Sequence, residues 1–148
     1  MRFFSEIGQN RVLLVAVLAW FVAQALKVVF PLIGSGTWKP ARIFGLGGMP
    51  SSHSSVVCGT ATAIGLSRGF YSAEFALALV LAAVVMTDAA GVRRNAGRQA
   101  KVLNKMIQDL FETGQGMDYG KLKEMMGHSP FEVLVGALLG ILLAVWIM

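Results

Sequence analysis

The sequence predicts an all-α integral membrane bundle of about four transmembrane helices with an added amphipathic helix at the interface. Three observations predict it. The 148 residues are 55% hydrophobic and only 14% charged, with a mean hydropathy of +0.65, outside the balance of a soluble domain. The apolar residues gather in runs of roughly 17–23 residues, enough to cross ~30 Å of hydrocarbon at 1.5 Å per residue. Polar phrases, two of which hold the chain's only two histidines, His53 and His128, separate those runs.

The first span covers about residues 11–33. It contains Lys27 and lacks a small-residue cleavage site after a short apolar core, so it is read as a retained span and not a signal peptide. The second, about 54–70, is diluted by Gly59, Thr60, Thr62 and Gly65 and ends near Arg68. Small residues suit close helix packing inside a bundle, and a re-entrant or partly buried helix is the alternative. Cys58 lies in this span as a lone thiol, which excludes an intrachain disulfide and a cysteine metal cluster.

The third span covers about 73–90. After it, Val102, Leu103, Met106, Ile107, Leu110 and Phe111 recur at helical spacing among Arg98, Lys101, Lys105 and Asp109, which predicts an interfacial amphipathic helix over 96–111. Residues 113–120 break the period, and 121–126 can form a short helix stopped by Gly127. The fourth span, about 131–148, opens on Ser129-Pro130-Phe131-Glu132, a capping box with Pro at the first helical position. There is no internal repeat, and residues 1–148 read as one domain.

With four spans, residues 34–53 and 91–128 share one side of the membrane. That side holds Lys39, Arg42, Arg93, Arg94, Arg98, Lys101, Lys105, Lys121 and Lys123, whereas the other holds only Arg2, Arg11 and Arg68. The excess of cations assigns the histidine side to the cytoplasm. A net charge of +5 agrees equally with an anionic membrane surface and an anionic substrate. No nucleic-acid partner is expected.

The same topology brings His53, the Arg93–Arg94 pair and His128 to one membrane face, together with two helix N-termini whose free amides attract anions. Such a set describes a phosphate site. One histidine can attack phosphorus while the other protonates the leaving oxygen, and cations hold the oxygens on which charge develops. A metal centre competes poorly, because no His-x-His or His-Glu-x-x-His spacing is present. No Walker loop or Gly-x-Gly-x-x-Gly fingerprint appears either, and no cofactor is expected. Lys27, about six residues or ~9 Å inside its span, is an intramembrane lysine and by default a functional candidate.

Pro50-Ser-Ser-His53 resembles the Pro-Ser-Gly-His motif of the type 2 phosphatidic acid phosphatase superfamily, and His128-Ser-Pro-Phe-Glu132 resembles its closing His-x-x-x-Asp motif. More closely, Gly47-Gly-Met-Pro-Ser-Ser-His-Ser54, Asp88-Ala-Ala-Gly-Val-Arg-Arg94 and Gly127-His-Ser-Pro-Phe-Glu132 are similar to the divergent PAP2 branch, the DUF212 or YuiD-like proteins. The likeness runs from about Gln24 onward. It implies that His128 is the nucleophile that becomes phosphohistidine, that Glu132 orients it, and that His53 is the general acid. It points to Arg93 or Arg94 as a phosphate ligand, with Lys39, Arg42, Lys27, Ser51 and Ser52 as further substrate-binding candidates and no metal. It further implies a bacterial inner (plasma) membrane or an organellar equivalent.

Ser52 stands where the motif has glycine, Glu132 where it has aspartate, and 33 residues separate Arg94 from His128. The expected activity is hydrolysis of a lipid phosphate or diphosphate such as phosphatidic acid, phosphatidylglycerol phosphate or a polyprenyl diphosphate. The alternative is a catalytically inactive relative that binds an anionic lipid or acts as a scaffold. Four spans are fewer than the six common among membrane relatives, which leaves room for a homo-oligomer.

Overall fold

A computed structural model describes residues 2–36, 48–111 and 127–148. Its elements are α1 (Arg2–Gly8), α2 (Arg11–Ser35), α3 (Ser52–Arg68), α4 (Ala73–Ala90), α5 (Val92–Phe111) and α6 (Pro130–Ile147). Among the described residues the chain is all-α, as the sequence predicts. The short α1 has no counterpart in the sequence reading, and the expected helix over 121–126 lies outside the described residues.

Local signals set the helix ends. Asn10 caps α2 by accepting from the Leu13 N–H at 3.0 Å. Gly36 closes it in the left-handed region at φ 65°, sending its N–H back to the Leu32 carbonyl. Ser51, Ser72 and Ser129 are the N-caps of α3, α4 and α6. At α6 the capping box is complete, with the Ser129 side chain accepting from the Glu132 N–H and the Glu132 carboxylate accepting from the Ser129 N–H.

Among the described residues three stretches are long and apolar enough to cross a membrane: Arg11–Gly34, Ala73–Gln108 and Pro130–Ile147. At 1.5 Å per residue the second run, 36 residues, is ~54 Å long, more than the hydrocarbon thickness, and Gly91 divides it into α4 and α5. The expected span count of about four therefore stands at three by length and hydropathy. The remaining helix, α3, has 17 residues with Ser, Gly and Thr through its length, and it packs against α2, α4 and α6.

The packing depends on small side chains. On α2, Val15, Ala19, Ala23 and Lys27 repeat every four residues as one buried stripe. On α6, Gly136 and Gly140 face α3 so closely that a Cβ on Gly136 would overlap the Ser51 carbonyl oxygen, and one on Gly140 that of Ser55. From the other side, a Cβ on Gly59 would stand 3.1 Å from the Gly140 carbonyl oxygen. Ser51, Ser55 and Gly59 thus form a ladder matching Gly136 and Gly140, the close backbone approach that drives helix association in lipid. Val15, Ala63 and Ala144 close the end of the bundle away from the histidines. Large apolar residues such as Leu77, Leu142 and Trp146 face outward at 72, 67 and 82% exposure, where lipid covers them.

Candidate functional site

The glycine ladder between α3 and α6 decides where the candidate residues meet, because it brings the first turns of both helices together. The Ser51 N–H donates to the Glu132 carbonyl oxygen at 3.0 Å, tying the two helix starts directly. The His128 N–H donates to the Ala89 carbonyl oxygen at 3.1 Å, which adds the end of α4. With α3 and α6 pinned there, the rings of His53 and His128 lie edge to face with centroids 6.0 Å apart.

His128 is buried, at 2% exposure, and its Nδ1 lies 3.2 Å from Glu132 Oε2. An ionised carboxylate can only accept, so this contact takes Nδ1–H as donor, and in the neutral ring that tautomer carries its lone pair on Nε2. The same Oε2 accepts the Ser129 N–H at 3.0 Å. Glu132 is therefore both a helix cap and the partner of the histidine four residues before it, two roles that the sequence presents as alternatives.

The buried stripe of α2 delivers a cation to the start of α3. Lys27, 3% exposed, donates from Nζ to Ser52 Oγ at 3.1 Å. Ala19 and Ala23 precede it on the stripe, and their small size lets α3 approach so that Ser55 Oγ donates to the Ala19 carbonyl oxygen at 3.3 Å. Ser51 and Ser54 are buried beside it, with Ser54 Oγ donating to Ser51 Oγ at 3.1 Å. A lysine, two imidazoles and the amide ends of two helices meet at one end of the bundle, a combination that suits an oxyanion.

Of the residues singled out from sequence, His53, His128, Glu132, Lys27, Ser51 and Ser52 come together here. Arg93 and Arg94 occupy the first turn of α5, four and five residues after Ala89, with their side chains outside the described part. Lys39 and Arg42 lie outside the described residues. Asp88 is half-buried on the last turn of α4, next to Ala89.

Two features escape a reading of the sequence for histidine phrases alone. Gly136-x-x-x-Gly140 is legible as a close-packing motif and is what holds α6 against α3. Gln24, 9% exposed and three residues before Lys27, is a second buried polar group on the same side of α2, and its spacing to Lys27 was the available signal.

The family model described as "Divergent PAP2 family" (DUF212) matches residues 8–143. The "Uncharacterized membrane protein YuiD" of Bacillus subtilis (strain 168) is 38% identical over 148 positions, covering 93% of this chain and 94% of that protein. No solved structure matches the chain. Both likenesses extend well beyond the histidine phrases to the span that carries Lys27 and the span that carries the glycine pair, and the chain belongs to the divergent PAP2 family of membrane proteins.

Proposed function

We propose that the chain is a membrane phosphohydrolase that removes phosphate from a lipid phosphate or diphosphate through a phosphohistidine at His128. The observation that carries this reading is the contact of His128 Nδ1 with Glu132, which leaves Nε2 as the nucleophile, beside the second imidazole of His53. In the first step the Nε2 lone pair attacks phosphorus and the bond from phosphorus to the lipid oxygen breaks. Protonated His53 delivers its proton to that oxygen, and the lipid leaves as an alcohol, or as a phosphomonoester where the substrate is a diphosphate.

In the second step water attacks phosphorus, neutral His53 takes its proton, and the N–P bond breaks to release phosphate and restore the imidazole. Lys27 and the amides at the starts of α3 and α6 stabilise the charge that develops on the phosphoryl oxygens. Glu132 stabilises the positive charge that the ring, still carrying its Nδ1–H, takes on as Nε2 bonds to phosphorus, much as a buried carboxylate does for other catalytic histidines. A site at the end of a membrane bundle can receive a headgroup while the acyl chains stay in the bilayer. The cation count of the connecting segments supports a cytoplasmic site in a plasma membrane.

One observation favours a second reading, in which the pocket binds an anionic headgroup without turnover. His128 is almost wholly buried, a setting that suits a ring held in place as well as one that must reach phosphorus. Phosphate release by the purified protein from a panel of lipid phosphates separates the two readings. Turnover that is inhibited by vanadate and lost in His128→Ala and His53→Ala supports hydrolysis. Release unchanged in both variants sinks the mechanism, and tight headgroup binding with no release assigns the pocket to the second reading.

A further inference from the structure

Helix α5 carries five cations, Arg93, Arg94, Arg98, Lys101 and Lys105, against one carboxylate, Asp109. It packs against α4 and no other described helix. At roughly 100° per residue its positions sort into three faces. Gly97 is buried and Ala100, Asn104 and Ile107 are half-buried, so this face turns toward the protein. Val102, Leu103 and Met106 form a second face at 58, 48 and 55% exposure. Arg98, Lys101 and Lys105 form a third, exposed face, roughly a third of a turn around from the apolar one.

Apolar side chains this exposed call for a cover, and two observations identify it. The first is continuity: the 18 residues of α4 cover ~27 Å, close to the thickness of the hydrocarbon, and α5 begins at Val92, two residues after α4 ends at Ala90, which sets its start near the bilayer surface. The second is charge. A cationic stripe flanking an apolar stripe matches anionic headgroups flanking acyl chains. A second copy of the same helix would bring like charge against like charge and is disfavoured.

We propose that α5 binds the anionic leaflet, seating Val102, Leu103 and Met106 at the edge of the hydrocarbon while Arg98, Lys101 and Lys105 hold lipid phosphates. Because its first turn begins three residues after Ala89, whose carbonyl accepts from the His128 N–H, α5 gathers anionic headgroups beside the histidines. The binding stands independently of turnover. Only its consequence for substrate supply rests on the phosphohydrolase reading.

The test uses the full chain with Cys58→Ser and Met106→Cys, labelled at position 106 with an environment-sensitive fluorophore. It is placed in nanodiscs of phosphatidylcholine with or without phosphatidylglycerol. Quenching by chain-brominated lipid is expected in phosphatidylglycerol discs, together with preferential retention of phosphatidylglycerol over phosphatidylcholine. Each cation near an anionic surface is worth up to about fivefold. The Arg98→Gln, Lys101→Gln, Lys105→Gln variant should therefore lose about fivefold or more of the preference, and high salt should do the same. The charge-conserving Arg98→Lys, Lys101→Arg, Lys105→Arg variant should keep it.

A label that stays in water in both lipids overturns the inference. So does a label shielded from water but untouched by brominated lipid, which would mark a protein contact, and so does a preference that survives neutralisation. Lipid binding as described with no phosphate release leaves this inference standing and removes the phosphohydrolase reading instead.

Discussion

Helices α3 and α4 follow one another in the chain and are built to opposite plans. Helix α4 is apolar without interruption from Phe75 to Met86, exposes Leu77, Leu79, Val80, Leu81 and Val84 at 53–72%, and buries only Ala82 and Ala89. Helix α3 is rich in serine and glycine and buries Ser52, Ser54, Ser55, Gly59, Ala61, Ala63 and Gly65. Length and hydropathy single out the first as a span and pass over the second. In a bilayer, hydropathy measures contact with lipid, so of these two helices the one withdrawn from lipid scores lower, and it is the one that carries His53 of the candidate site.

The difference is sharpest at His128. On the proposed mechanism His128→Gln removes the nucleophile and should lower turnover by on the order of 10⁴-fold or more, while the glycine ladder two turns further along α6 stays intact. Phosphate release and detergent-solubilised thermal stability, measured together, check this. A fold that collapses along with activity would show that the imidazole is part of the packing.

Gly140→Ala strikes the α3–α6 contact itself, and the Ser55 carbonyl oxygen offers a new methyl no room. Overpacking of this kind costs about 3 kcal/mol, read as a shift in an unfolding titration with denaturing detergent. The matched change on α4, Leu79→Ala, alters a lipid-facing side chain and should cost less than about 0.5 kcal/mol. Equal costs would break the contrast between the two helices.

Much of the fold was legible in the residues. The capping box at Ser129–Glu132, the end of the third span near residue 90 and the amphipathic period of α5 have purely local causes, and local causes can be read along a chain. The site was legible in part. His53 and His128 announce themselves by scarcity and by matching phrases, yet the reason they meet lies in Gly136 and Gly140, whose role depends on which helix faces them. The Lys27 to Ser52 hydrogen bond spans 25 residues and follows from the register of α2 on α3, a tertiary fact with no local signature.

Lys27→Met tests that register with a smaller expected effect. Removing a buried cation spares its desolvation, so thermal stability should stay level or rise, while turnover should fall on the order of tenfold to a hundredfold through loss of phosphoryl stabilisation. Lost stability would instead make the lysine a structural tie.

Ser129→Ala removes one capping acceptor and should cost about 1 kcal/mol, with turnover affected only as far as the Glu132 carboxylate shifts. Smallest of all, Leu142→Ala on the lipid side of α6 should change neither stability nor turnover beyond about 0.5 kcal/mol, measured by the same titration.

The account rests on two imidazoles, His53 on α3 and His128 just before α6, acting on one phosphoryl group, with His128 attacking and His53 protonating. Trapping tests this most directly, in the His53→Ala protein, which keeps the nucleophile but lacks the base of the second step. It is mixed with p-nitrophenyl phosphate labelled in its phosphoryl group, whose leaving group needs no protonation, quenched in alkali and mapped by peptide mass. The account predicts labelled phosphate accumulating on His128 and absent when His128→Ala is added. Phosphate release at an undiminished rate with His128 unlabelled would contradict it.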